Sequence, residues 1–477
     1  MLRGVSAAIA AGFLFSCSSS PEAPRGTVTG ITVSTGDLSP AFSPDTYVYT
    51  VSSLTTLVPV DITVTGQDVT IDGDPAQDGV PHATQVTQLD DPVSIHIDAT
   101  DAQGNPVRYN IRTVPPVRPR YDVTVSGSPT PGLVFLTPAQ LAPVGFGPSF
   151  LYILDETGAL VYYARTQLPV TDFARAQYAD GTVRYTYHAP DQGLSIATWP
   201  VLPGSVTVLD DHFQPLENLR ILPSATHGAW GIDGHEFRLL ADDHWIADAY
   251  LGETVTGVPR QPIKQVVSCV VQEVSGGNVV FDWESASDPD LFVQSSDHGL
   301  GFDEPPTAPW ADEVHLNSID FDPANGNVLV SLRHDDELVE LDHATRAVVW
   351  TLGGVGDDFG LAPADKFSHQ HFARFVAPND ITLFDNGNAA GVTKIREYQI
   401  DPAAHTAQVL AALALDGHYS SAMGSVQKLG NRYFVGWGYH VDGKPDITEL
   451  DATTQEKSFE LTFRDGYISY RALKYPR

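Results

Sequence analysis

The side chains in this sequence best suited to handling an anionic group are His235, His315, His371 and Arg333, and their spacing brings them together. A neutral imidazole is a nucleophile, an acid or a base near neutral pH. A guanidinium is a permanent fork of hydrogen-bond donors. Each histidine opens a hairpin of one recurring type: "HEFRLLADDHWIADAY" (235–250), "HLNSIDFDPANGNVLVSLRH" (315–334) and "HFARFVAPNDITLFDN" (371–386). An antiparallel hairpin brings the end of its second strand beside the start of its first. His315 and Asn317 therefore lie near Arg333 and His334, His371 near Asp385 and Asn386, and His235 near Asp248 and Tyr250. A lone histidine at a strand end is more often a hydrogen-bonded structural residue than a catalyst. The shared register in three hairpins sets these apart from His343, His405 and His440, which fall in turns or loops.

The elements that must position them are strands. The same hairpin type recurs at 172–188 and 424–438, and a second type alternates with it at 150–164, 206–221, 269–284, 337–352, 395–410 and 447–462. Each is a pair of short strands around a polar turn of Asp, Gly or Asn. One hairpin of each type makes a four-stranded sheet, and helical periodicity is nearly absent. An all-β, six-bladed β-propeller over 122–477 explains two alternating hairpin types, which a jelly roll or long sandwich does not. It closes by joining "GLVFLTPA" (132–139) to "SYRALKYP" (469–476) in one blade. The first strand of each blade lines the central channel, so the residues that open first-type hairpins meet at one end of it.

Upstream, residues 28–114 carry short β-branched runs such as "GITVS", "YVYTVS" and "VSIHIDATD", which predict a small antiparallel β-sandwich. The layout from "LSPAFSPDTYVYTV" to "DATDAQGNPVRYNIRTV" resembles the cadherin-like β-sandwich of bacterial envelope proteins, which implies a spacer or adhesion module. "VPPVRPRY" (114–121) reads as a stiff linker. Residues 1–17 hold Arg3, then an apolar run from Val5 to Phe15 too short to span a bilayer, and read as a signal peptide. "LFSC" (14–17) resembles the bacterial lipoprotein cleavage box, with Cys17 as the lipidated residue and 18–27 as a tether. The expected location is the bacterial cell envelope, as a periplasmic protein or outer-membrane lipoprotein, with the membrane met only through that anchor. Cys269, within "VVSCVV", reads as a buried core residue, and two cysteines exclude a zinc site built on thiolates. With 59 acidic against 27 basic residues and a net charge of −32, nucleic-acid partners are not expected. The Asp-rich turns lack the spacing of a calcium loop, and no metal is expected.

The stretch "HLNSIDFDPANGNVLVSLRHDDELVELDHATRAVVWTLGG", followed by "FSHQHFARF" and "ITLFDNGN" and supported by "DGHEFRLL" and "SYRAL", resembles the arylsulfotransferase family of bacterial, cofactor-independent sulfotransferases. The resemblance implies transfer of a sulfuryl group from an aryl sulfate donor to a phenolic acceptor through a histidine-bound intermediate, with no cofactor. It puts the nucleophile on His371 rather than His369, the sulfate-holding residues on His315, Asn317 and Arg333, and the remaining channel histidine on His235. His334, beside Arg333, joins the substrate-binding set. The position where the family carries a hydroxyl residue falls on Gly424, and the neighbouring Ser425 is the hydroxyl expected at the site.

Two other readings start from the same residues: a non-catalytic envelope propeller that binds an anionic ligand, glycan or protein, and an aryl sulfate hydrolase. The acidic insertion at 297–313 is either a lid over the channel mouth or a surface loop. Trp283, Trp350 and Trp437 end strands and are expected between blades, with Trp437 also placed to face an aromatic substrate.

Overall fold

Apolar runs separated by aspartate turns become strands because the aspartates make the turns. Asp155 Oδ1 accepts hydrogen bonds from the N–H groups of Thr157 (2.9 Å) and Ala159 (3.0 Å). Asp210 does the same for His212 and Gln214 (both 2.8 Å), and Asp451 for Thr453 (2.9 Å) and Thr454 (2.8 Å). A short carboxylate closing its own turn in this way favours the tight reversal. This explains the recurring aspartate that ends the first strand of second-type hairpins.

The computed structural model describes residues 27–34, 36–52, 61–83, 94–114, 118–140, 149–191, 203–256, 263–295, 312–440 and 443–477. The leader with Cys17, nearly all of the tether, and most of the acidic insertion lie outside these residues. No helix among the described residues is long and apolar enough to cross a membrane.

Six sheets form the blades of a propeller. Blade 1 has Tyr467–Tyr475 innermost, followed outward by Leu133–Gln140, Phe150–Leu154 and Leu160–Arg165, so the two ends of the propeller sequence close the ring. Blades 2 to 6 begin at their inner strands Thr171–Gln177, Phe237–Ala241, Leu316–Phe321, His371–Ala377 and Ser425–Leu429. Blade 6 gains a fifth, outermost strand, Tyr121–Val125, which pairs with Lys457–Phe463. The middle strands of blade 4, Val328–Leu332 and Glu337–Leu341, are buried at every residue, because neighbouring blades cover both faces. Trp283, Trp350 and Trp437 are all buried in the clusters between blades. Trp437 stacks on His418 with centroids 3.8 Å apart, and its indole N–H donates to Thr448 Oγ1, so it faces the core rather than a ligand.

The strands between Val28 and Thr113 form two sheets around a separate apolar core, antiparallel apart from Val48–Ser52 beside Pro106–Thr113. They rest on the propeller through Asn110 Nδ2, which donates to His212 O (2.8 Å), and through Arg112, which lies over the Tyr162 ring.

A charged belt crosses the channel. Arg471 donates to Asp172 Oδ1 (2.9 Å) and Asn317 O (2.8 Å) and lies 3.1 Å from Glu236. Arg374 holds both oxygens of Glu236, at 2.9 and 2.7 Å. Both guanidiniums sit over the Phe372 ring, at 4.0 Å for Arg374 and 5.1 Å for Arg471. Removing one partner of a buried ion pair leaves an uncompensated charge. Arg471→Met is therefore expected to destabilise the propeller by about 3–5 kcal/mol in urea unfolding.

Candidate functional site

The rim above this belt is where three inner strands begin, and the backbone there is irregular. Pairing register shifts at the start of blades 2, 4 and 5. Asp172, His315 and Phe372 adopt left-handed backbone at these points, with φ of 53°, 56° and 53°. Bulges of this kind re-aim side chains and recur at functional sites. Here they gather imidazoles around the channel mouth. The His315 ring lies 4.8 Å from that of His235, nearly perpendicular to it, and 4.8 Å from that of His334.

His371 is held on both nitrogens. Its Nδ1 lies 2.7 Å from Asn386 Oδ1 and 3.1 Å from His369 O, and its Nε2 is 3.2 Å from Met423 N. A backbone N–H can only donate, so Nε2 carries the lone pair and Nδ1 the proton. Burial, and second the charge of Arg333, hold the His371 imidazole well below its ordinary 6.5, with His315 and His235 adding to the effect. His371 is 2% exposed and neutral at neutral pH, with its lone pair on Nε2. His369, its neighbour in sequence, turns instead towards Asp336, at 3.2 Å.

Carboxylates back the other two imidazoles. His315 Nδ1 donates to Asp312 Oδ2 at 2.5 Å, and His235 Nδ1 donates to Asp233. In each case the proton sits on Nδ1 and Nε2 is the working nitrogen. Burial first, then His235 and Arg333, push His315 well below 6.5. Neither aspartate was singled out from sequence. The available signal was an aspartate two or three residues before a candidate histidine, as in Asp233-Gly234-His235 and Asp312-Glu313-Val314-His315.

Arg333 is 2% exposed, and among the described residues no carboxylate pairs with it. Arg374, Arg396 and Arg471 all have such partners. Arg333 Nη1 donates to His334 Nε2 at 2.5 Å, and His334 Nδ1 donates to Asp312 O at 2.7 Å. His334 is thereby a neutral support beneath the guanidinium rather than a contact to ligand. Asp312 steadies His315 through its side chain and Arg333 through its carbonyl.

Two expected contacts are placed differently. Asn317 Nδ2 donates to Gln370 O (2.7 Å), and Oδ1 has no partner, so this amide shows an acceptor rather than a donor to the site. Ser425 Oγ donates to Ala472 O (2.9 Å) and accepts from Ala472 N (3.2 Å), which ties blade 6 to blade 1 away from the imidazoles. Residue 424 cannot supply the hydroxyl in this packing. Gly424 has φ of 104°, and a Cβ there would sit 2.3 Å from the Phe384 ring. Gly424→Thr is expected to lower stability by about 3 kcal/mol or more in urea unfolding, from backbone strain and overpacking together.

Three groups among the described residues carry metal-ligand atoms within 4.8 Å of one another: Asp210, Asp211 and His212 in a turn, and, at the site, first Asp312, His315 and His334 and second Asp233, His235 and Asp248. In the first, both His334 nitrogens are engaged, and the Arg333 charge lies alongside. In the second, Asp248 Oδ2 has no hydrogen-bond donor, and burial with the neighbouring Asp233 raises the Asp248 carboxyl well above its ordinary range.

The protein is thus a six-bladed propeller with a cluster of histidines and Arg333 at one end of its channel. Residues 268–471 match the family model for arylsulfotransferase (ASST). His315, Arg333, His371 and Arg471 lie inside the matched segment, and His235 lies before it. No curated protein matches the chain. Among solved structures, it is similar to a protein of unknown function from Bacteroides caccae, at 13% identity, covering 73% of this chain and 100% of that one, with a TM-score of 0.43. It is also similar to AztD from Citrobacter koseri, at 10% identity, covering 73% and 100%, with a TM-score of 0.34. A quinoprotein alcohol dehydrogenase-like protein from Bacteroides thetaiotaomicron shows 9% identity, covering 88% and 95%, with a TM-score of 0.35.

Proposed function

We propose that the protein is an aryl-sulfate sulfotransferase that carries the sulfuryl group on His371. The observation that supports this most is Arg333: a buried guanidinium with no carboxylate in a salt bridge to it among the described residues, beside imidazoles held neutral, suits an anionic ligand. In the first half-reaction the His371 Nε2 lone pair forms a bond to sulfur. The bond from sulfur to the aryl oxygen breaks, and its electron pair leaves with the phenolate. Arg333 holds the sulfuryl oxygens as charge builds, much as cationic groups do in phosphoryl transfer. In the second half-reaction a phenol attacks sulfur, the N–S bond breaks, and the electron pair returns to Nε2. The departing phenolate leaves with its charge and takes its proton from water, and the incoming phenol gives its proton up to Nε2 of a carboxylate-backed imidazole, His235 or His315, whose own proton is held on Nδ1. No metal or nucleotide enters this scheme. The leader ending at Cys17 fits the same reading with an enzyme of the bacterial envelope.

The test is incubation with p-nitrophenyl sulfate, with and without added phenol. Acceptor-dependent nitrophenol release supports transfer, release independent of acceptor identifies a sulfatase, and no release across a panel of aryl sulfates favours a binding module. Because the His371 pKa is depressed, its neutral form persists as pH falls through 6.5 and is lost only through the lower folded value. Under single turnover, the first half-reaction is therefore expected to keep its rate from pH 7.5 down through pH 6 and to decline only in clearly acidic buffer. An acid limb centred at 6.5 would contradict this.

A further inference from the structure

Asn386 makes three contacts that converge on the proposed nucleophile from two sides. Its Oδ1 accepts from His371 Nδ1 at 2.7 Å. Its Nδ2 donates to Ser420 O at 2.9 Å and to Met423 O at 3.0 Å. These two carbonyls fix the orientation of the amide, because the reversed amide would set its oxygen against both. The segment held in this way is the one that presents Met423 N–H to His371 Nε2. Of its neighbours in "FDNGN", Asn388 secures the same segment, its Nδ2 donating to Ser421 O (3.1 Å), while Asp385 pairs with Arg396 and accepts from Ser368 N. Gly387 at φ 66° allows the reversal between them, where a Cβ would lie 1.9 Å from Val392 O.

We infer that Asn386 is a positioning residue for His371: one fully buried amide fixes the imidazole through Nδ1 and, through Ser420 and Met423, places the backbone donor that meets Nε2. The inference rests on the reading of His371 as nucleophile for its meaning in turnover, but not for its geometry. When the sulfur approaches Nε2, the Met423 N–H must leave the lone pair, and the amide keeps the ring from following it. His369 O, 3.1 Å from the same Nδ1, is a second and longer acceptor within hydrogen-bond range, so Asn386 Oδ1 at 2.7 Å is the closer of two partners.

The charged or titratable groups that act most strongly on His371 are Arg333, His315 and His235, and all of them disfavour its protonated form. A carboxylate at position 386 would put an anion directly against Nδ1 and would stabilise the protonated form. The test uses full-length protein, N386D and N386A, and two readouts. In 15N NMR, the wild-type His371 ring should carry its proton on Nδ1, and in N386D its titration should move up by more than about one pH unit. In the p-nitrophenyl sulfate assay, N386A should lose about tenfold to a hundredfold in kcat with little change in donor KM, the scale of losing a group that orients a reacting imidazole. An unchanged His371 titration in N386D, or wild-type kcat in a folded N386A, overturns the inference. The NMR titration needs no turnover. It therefore decides the positioning role even if the wild-type protein transfers no sulfuryl group, an outcome that removes the proposed function alone. If N386A does not fold, N386D carries the test.

Discussion

Replacing His371 by alanine is expected to lower acceptor-dependent nitrophenol release by about a thousandfold or more, since it removes the nucleophile rather than a supporting group. The variant should still fold. It leaves Asn386 Oδ1 and Met423 N–H without their partner, a loss of about 1–3 kcal/mol for each buried group left unsatisfied. The missing ring also leaves a space bounded by Arg333, into which free imidazole can diffuse, and partial recovery of turnover with added imidazole is expected. His369→Ala is the matched control. His369 donates its backbone N–H to Asp336 Oδ1 at 2.7 Å, its ring Nδ1 lies 3.2 Å from the same oxygen, and it does not take the position of His371. Its removal should leave turnover within a few-fold of wild type. A His369 variant that abolishes turnover while the His371 variant retains it would reverse the assignment.

The second large effect is expected at Asp312. Its carboxylate holds the His315 proton on Nδ1, and its backbone carbonyl holds His334, which supports Arg333. Asp312→Ala removes the first function and keeps the second, because the carbonyl remains. The expected result is therefore a split: kcat falls by about 100-fold or more, as for loss of the group that orients an acid or base, while KM for the donor changes little. Steady-state kinetics with p-nitrophenyl sulfate, alongside urea unfolding to confirm the fold, check it. A rise in donor KM with unchanged kcat would instead make His315 a binding group.

These two residues differ in how visible they were. The blade count was legible because two hairpin types alternate, each with its own turn chemistry, and because "GLVFLTPA" and "SYRALKYP" have no other partners. The strand Tyr121–Val125 was not placed. Its pairing with Lys457–Phe463 spans more than three hundred residues, and nothing local in "YDVTV" says which sheet edge it joins. At the site, the convergence of His235, His315, Arg333 and His371 followed from hairpin register alone. The atoms facing inward did not follow from it. Ser425 sits one residue from Gly424, and a one-residue step along a strand reverses the face a side chain shows. Asn317 is at the expected place, but its amide is turned by Gln370 O, a contact between blades that register does not reveal. Asp233 and Asp312 lie in the loops before the inner strands, where spacing becomes informative only after the histidines are located.

The most direct measurement is of the covalent intermediate. Wild-type protein should be mixed with excess aryl sulfate in the absence of acceptor, quenched, and measured by intact-protein and peptide mass spectrometry. The expected result is a mass gain of one SO3 group, localised to His371, discharged when phenol is added before the quench, and absent from His371→Ala. Nitrophenol release with no adduct on His371, or an adduct on a different residue that discharges to phenol, would contradict transfer through this histidine.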